Sequence, residues 1–262
     1  MGVVNVTPDS FSDGGLYLDP DDAIRQALRM VAEGAGIIDV GGESTRPGAE
    51  PVDTTEELER IIPVVEALVA EIGLPISVDT SKPGVMEAAI AAGASMINDV
   101  MALQEPGAIG AVAGSSVAIC LMHMQGRPRT MQAAPRYADV VQDVHHFLVE
   151  RLRACEIEGI DRSRLVIDPG FGFGKTLEHN LDLLAALAEF SRDGLPVLAG
   201  LSRKSMIGQL TGRPAGERLA GSVVLAAMAV ERGASIVRAH DVAATVDAVR
   251  IATALRHRHP AQ

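Results

Sequence analysis

The sequence has no tryptophan, and aromatic residues make up only 3% of its 262 positions. A core built from it must be aliphatic, and Ala, Val, Leu and Ile suit parallel strands covered by helices. Cysteine is scarce too. Cys120 and Cys155 are too few for a disulfide framework, and no Cys/His pair has zinc-site spacing. A reducing cytoplasm is the expected setting. Positive charge is short: the net charge of −11 argues against a nucleic-acid or anionic-membrane partner. No apolar run reaches membrane-spanning length, and the N-terminus lacks the basic region and long apolar stretch of a signal peptide. There is no low-complexity linker and no shift in composition, so one domain is expected over residues 1–262.

What the chain does have is alternation. Apolar runs of strand length stand at 2–6, 36–40, 75–79, 95–99, 117–122, 164–168, 196–200 and 235–239, each followed by a helix-like stretch. Ile24, Ala27, Leu28 and Val31 mark one helical face, and Leu58, Ile61, Ile62 and Val65 another. Asp19 before Pro20 predicts an N-cap with proline at the first helical position. Thr54 and Glu57 predict a capping box, and Pro63 a kink or break. Segments 34–39, 93–98 and 233–238 repeat one form: glycine, alanine, a small residue, an apolar pair and a polar end. The glycine suits the position just past a helix, the apolar pair the next strand. Eight strand–helix units in this length predict a single-domain α/β fold, a (β/α)₈ TIM barrel, with a doubly wound sheet as the alternative.

Barrel sites lie at the C-terminal ends of the strands. Those ends carry Asn5, Asp39, Asp79, Asn98 with Asp99, Met122 with His123, and Asp168; then come Arg203 and Lys204 in SRKS, and finally Arg238 and His240. Any one aspartate could be a helix cap, Asp99 foremost, and His123 could be a satisfied core histidine. As a set they predict a bipolar ligand. One end is a polar ring rich in N–H donors, held by Asp79, Asn98 and Asp168. The other is an anion, held by Arg238, His240 and the SRKS turn, where this fold recurrently binds phosphate. Metal hydrolysis is disfavoured, because strand one offers Asn5-Val6-Thr7 in place of His-x-His.

The run DPGFGFGKT (168–176) suggests a phosphate-cradling loop, but it misses both nucleotide patterns by one residue. Pro169 stands where the P-loop needs glycine, and Lys175 where the dinucleotide fingerprint needs its third glycine. Loops 7–15 (TPDSFSDGG) and 41–48 (GGESTRPG) are rich in small residues yet hold Phe11, Asp13, Glu43 and Arg46, so they are expected to act as lids.

Eight segments in one order (NVTPDSFSDGG, IDVGGESTRPGA, ISVDTSKP, IND, LMHMQG, DPGFGFGK, SRKSMIGQLTGR and VRAHDV) resemble bacterial dihydropteroate synthases over nearly the whole chain. The resemblance implies a (β/α)₈ barrel, a homodimer and a Mg²⁺ cofactor. It also implies that 6-hydroxymethyl-7,8-dihydropterin pyrophosphate is joined to p-aminobenzoate, with sulfonamides competing for the amine slot. By resemblance, Asp168, Asp79, Asn98, Met122, Phe173 and Lys204 would bind the pterin. Asn5, Asp39, Thr45, Arg46, Arg238 and His240 would meet pyrophosphate, with Asn5 and Asp13 on the metal. Phe11, Pro47 and Ser205 would hold p-aminobenzoate, and Asp13, Arg46 and Lys204 would serve the reaction itself. Members of the family carry a segment before the first strand. Here Met1 stands almost on that strand, so either the segment is missing or the barrel bottom is closed otherwise. The alternatives are a corrinoid-type methyltetrahydrofolate methyltransferase and a pterin-binding module without catalysis.

Overall fold

A computed structural model describes residues 1–7, 20–45, 48–128, 130–256 and 258. The expectations placed on Phe11, Asp13, Asp19, Arg46 and Pro47 lie outside these residues. Among the described residues eight strands alternate with helices. The strands are β1 (Gly2–Asn5), β2 (Ile38–Gly41), β3 (Ile76–Asp79), β4 (Met96–Asp99), β5 (Ala118–Met122), β6 (Leu165–Asp168), β7 (Leu198–Ala199) and β8 (Ile236–Val237). Between and after them run α1 (Pro20–Ala32), α2 (Thr54–Glu71), α3 (Pro83–Ala91), α4 (Ala108–Ala113), α5 (Val140–Ile157), α6 (Leu177–Ala185), α7 (Leu187–Ser191), α8 (Ser205–Thr211), α9 (Leu219–Glu231) and α10 (Val242–Arg256). β1 to β6 pair in chain order and β7 pairs β8, all parallel. Bridges Ile167–Val197 and Gly2–Ala239 join the two sheets into a closed ring. This is the expected (β/α)₈ barrel.

Period-two alternation divides most apolar strand residues between an outward core and an inward cluster. Ile38, Val40, Ile76, Val78, Ile97, Ile119, Leu121 and Ile167 point outward and pack with the helices. Met96, Cys120, Val166 and Leu198 form a separate cluster inside the ring, joined by Met1. The outer core holds nearly all the aliphatic mass, as the shortage of aromatics required. The three repeat glycines, Gly34, Gly93 and Gly233, all have left-handed φ angles (98°, 98° and 103°) just past α1, α3 and α9, so the repeat marks helix ends.

Two local expectations are corrected. Asp53, not Thr54, caps α2, accepting from Glu56 N at 2.9 Å. Glu57 is not a capping partner: it is wholly buried and bonds Lys82. Pro63 does not break α2, which runs unbroken from Thr54 to Glu71. An interior proline costs about 3 kcal/mol. Burying Ile61, Val64, Val65 and Leu68 on the same helix offsets this, at roughly 1.5–3 kcal/mol for each large side chain.

Candidate active site

The inner strand faces end in a polar layer at the C-terminal mouth. Asp39 is fully buried there; its Oδ1 accepts from Ser77 Oγ at 2.6 Å and its Oδ2 from Asn98 Nδ2 at 3.4 Å. Arg238 follows β8 and donates Nε to Asp39 Oδ2 at 2.6 Å and Nη2 to Asp79 Oδ2 at 2.8 Å. Two inward carboxylates thus bracket one guanidinium. Burial alone would lower the Arg238 pKa, but Asp39 and Asp79 hold it above the ordinary arginine value. Burial raises Asp79 above the usual carboxylate range, against the pull of Arg238.

The expected separation into an acidic end and a cationic end therefore needs correction. In space Arg238 crosses the barrel to β2 and β3, so the two poles are one network. His240 does not add a cation at neutral pH. Burial, helped by Arg238 and Arg203, lowers it to about 4, and Ser202 Oγ lies 3.1 Å from its Nδ1. A neutral imidazole still offers an N–H to an anion.

Asp79, Asn98, Met122, Asp168, Phe173, Lys204, Arg238 and His240 line one pocket. Asp168 Oδ1 accepts from Gly170 N at 2.7 Å, and burial pushes the carboxyl up to about 6. Lys204 Nζ sits 4.1 Å from the centre of the Phe173 ring, a cation–π contact. Burial lowers this lysine to about 8, with Asp168 opposing. Asn5 lines an adjoining cleft with Arg203, His240 and Asp241, and Thr45 a separate cavity with Glu43 and Lys82. Ser205 is exposed as the first residue of α8. These three stand around the pocket and do not line it.

The DPGFGFGKT run resolves into a backbone turn locked from inside. The chain's lysines are Lys82, Lys175 and Lys204, and Lys175 is the most enclosed, 3% exposed. Its Nζ bonds Gly170 O at 2.9 Å, Phe173 O at 3.0 Å and His123 O at 3.3 Å, and lies 2.9 Å from His123 Nδ1. Burial lowers Lys175 to about 7 and His123 to about 3, so the neutral imidazole accepts from the lysine. His123 is accordingly a satisfied core histidine. From outside, Gln132 Nε2 donates to Gly172 O at 2.5 Å and Tyr137 OH to Gly174 O at 2.8 Å.

Gly170 has φ +71°, and an added Cβ would stand 1.9 Å from His123 O. Gly170→Ala should therefore cost more than about 4 kcal/mol, the range of exceptional single substitutions. Gly159 has φ +82° but open space around it. Gly159→Ala should cost only about 1–2 kcal/mol, the left-handed backbone penalty. Denaturant melts of both variants check this. Equal costs would mean that backbone angle and not the His123 contact decides.

The sequence pattern of the family described as "Pterin binding enzyme" matches residues 1–240. The Escherichia coli (strain K12) dihydropteroate synthase is 54% identical over 254 residues, covering 97% of this chain and 90% of that one. The chain belongs to the dihydropteroate synthase family. Two solved dihydropteroate synthases share the fold closely. The Yersinia pestis enzyme in a sulfonamide drug complex has a TM-score of 0.94 at 50% identity, covering 98% of this chain and 93% of that one. The Xanthomonas albilineans enzyme in complex with 7,8-dihydropteroate has a TM-score of 0.88 at 54% identity, covering 97% and 92%.

Several residues of this dihydropteroate synthase fold escape a sequence reading. Ser77 supports Asp39, Ser202 holds His240, and Lys175 holds the 168–176 turn. Only Ser77 carried a usable signal: it stands two before Asp79 and so shares its inward face. Arg203, expected at the end of strand seven, is engaged within the protein. It adopts φ +58° and is held by a bidentate pair with Asp241 (3.0 and 2.5 Å) and by Ser222 Oγ at 2.9 Å from its N. That turn presents Lys204 and Ser205.

Proposed function

We propose that the protein joins 6-hydroxymethyl-7,8-dihydropterin pyrophosphate to p-aminobenzoate, releasing pyrophosphate and 7,8-dihydropteroate in folate biosynthesis. The carrying observation is one pocket in which Asp168, Asn98 and Lys204 adjoin the Asp39–Arg238–Asp79 bracket. Asp168, Asp79 and Asn98 supply acceptors for a ring rich in N–H donors, and Met122 and Phe173 cover its faces. Arg238 exchanges its carboxylate contacts for pyrophosphate oxygens, with His240 beside it. The C–O bond to pyrophosphate breaks and the electron pair leaves with it. Asp39 and Asp79, freed from Arg238, then favour the positive pterin methylene. The amine lone pair forms the C–N bond, and the proton it sheds passes to the released pyrophosphate or to water.

Among the described residues no cluster of three His, Cys, Asp or Glu could hold a metal. Asn5 would give Mg²⁺ one hard oxygen, and a pyrophosphate would give others. When bound, the ion would neutralise charge on the departing pyrophosphate.

A homodimer fits the apolar residues exposed along α9 and α10, Leu219, Val224, Ile251 and Leu255. Sedimentation equilibrium checks it: a monomer mass at micromolar protein would overturn it. A cytoplasmic setting accords with two free, buried cysteines. Among the described residues no helix is long and apolar enough to cross a membrane.

Incubation with the pterin pyrophosphate, p-aminobenzoate and Mg²⁺ should yield dihydropteroate. Pterin binding without product would mark a binding module, and turnover of methyltetrahydrofolate the corrinoid alternative. Pterin affinity should also depend on pH. Asp168 titrates at about 6, and only its ionised form accepts from two ring donors. Affinity should fall as pH drops through that value, measured by calorimetry between pH 5 and 8.

A further inference from the structure

We propose that Lys82 is a positioning residue for this reaction: through Glu43 it pins the root of the β2–α2 connection, and with it Thr45, using Glu57 as a buried counter-charge. The proposal rests on the dihydropteroate synthase reading above.

Lys82 lies three residues beyond Asp79 at the end of β3. Its Nζ bonds both Glu43 Oε2 and Glu57 Oε2. Glu43 belongs to the connection and stands two residues before Thr45. Its other oxygen accepts from Val52 N at 3.4 Å, so one side chain ties the near end of the connection to its far end. Glu57 is on α2, fully buried, and its Oε1 has no hydrogen-bond partner among the described residues. A buried, incompletely bonded carboxylate is a poor device for stability alone. The neighbours Ile61 and Val64 show that α2 packs well with aliphatic side chains. Glu57 is explained if its role is to keep a charged lysine in place beneath the connection. Both carboxylates raise the Lys82 pKa against the lowering by burial.

Two further contacts make this root rigid. Arg60 Nη1 donates to Gly42 O at 2.8 Å. An added Cβ at Gly42 would lie 2.7 Å from Ile61 Cγ2 and 3.0 Å from Glu57 Cγ, so the backbone rests directly on α2. A helix-packing role would account for the Lys82–Glu57 pair. It would not account for Glu43, which is half-buried, comes from the connection, and takes the same ammonium. The arrangement fixes Thr45 relative to the strand end that bears Asp79, without Lys82 lining the pterin pocket.

The test uses Glu43→Ala, Lys82→Met and Lys82→Arg in the full chain. Misplacement of a reacting partner by an ångström can cost about 100-fold. For Glu43→Ala and Lys82→Met, kcat/KM for p-aminobenzoate is expected to fall about ten- to a hundredfold. Affinity for free 6-hydroxymethyl-7,8-dihydropterin should stay near wild type. Lys82→Arg, which can still bridge two carboxylates, should keep most of the activity. Unchanged kinetics in folded Glu43→Ala, or an equal loss of pterin affinity, overturns the proposal. Should Lys82→Met fail to fold, Glu43→Ala decides, because Glu43 is the solvent-side member. Amide exchange over 48–52 keeps the two readings apart. If the wild type makes no product, the reaction reading fails, yet faster exchange in Glu43→Ala still supports the pin and unchanged exchange overturns it.

Discussion

Arg238→Ala should destabilise the protein by about 3–5 kcal/mol, the usual cost of removing one partner from a buried ion pair. The guanidinium is the shared partner of Asp39, which is wholly buried, and Asp79. Its loss leaves two close carboxylates facing one another in the barrel. The pH dependence identifies the cause. Asp79 has a folded pKa raised above its ordinary value of 3.8, chiefly by burial. Its contribution to stability is therefore full below that value and is lost as pH rises through the folded pKa. Without Arg238 the opposing attraction is gone and the loss at neutral pH grows. The deficit against wild type should shrink on acidification, which denaturant melts at pH 5 and pH 8 would measure. A pH-independent deficit, or one below about 1 kcal/mol, would contradict the bracket. Turnover should also fall at least about 100-fold, as when a preorganised charge partner is removed.

Asp168→Asn separates ligand binding from the turn. The asparagine Oδ1 can still accept from Gly170 N, the 2.7 Å bond that starts the turn. In the proposed pterin site, however, its amide nitrogen would turn a donor toward ring N–H groups that need acceptors. A hydrogen bond to a charged group contributes about 1.5–3 kcal/mol, and an unpaired buried donor costs more, so pterin affinity should drop at least about tenfold. Folding should not suffer. Burial lifts Asp168 to about 6, so the carboxylate's own contribution to stability is present below its unfolded pKa and lost above about 6. A neutral amide escapes that loss. Calorimetry and a thermal melt on one preparation test both halves. Intact affinity with a lowered Tm would make Asp168 a turn residue only.

The barrel was legible because its signal is local. Each strand is a short apolar run, and even β7 and β8, two residues each, lie inside the expected runs. Position at the C-terminal ends of those runs then named Asp79, Asn98, Met122 and Asp168, which all line the pocket. The bracket was not legible, because Arg238 meets partners 199 and 159 residues earlier in the chain. No spacing rule joins them; only ring closure brings β8 beside β1 and across from β2 and β3. Lys175 failed for the opposite reason. A lysine after three glycines is a phosphate signal in local terms, yet burial turned it onto carbonyl oxygens. At Thr54 and Glu57 the capping pattern was present, but Lys82, from another unit of the barrel, drew Glu57 inward.

The distribution of lysine has a practical side. Every other cationic side chain except histidine is arginine, and Lys82, Lys175 and Lys204 all follow the C-terminal ends of strands β3, β6 and β7. Amine-reactive chemistry on the folded protein therefore has no lysine on the helical exterior or the opposite end of the barrel to modify. Lys175 is enclosed, and Lys204 lines the pocket with Asp168, its Nζ over the Phe173 ring. Acylation of Lys204, followed by mass spectrometry, thus serves as an occupancy gauge that needs no engineered label. Attachment to an amine-coupled support would, by the same geometry, favour the C-terminal face of the barrel, because the N-terminal ammonium is partly buried and bonded to Val237 O.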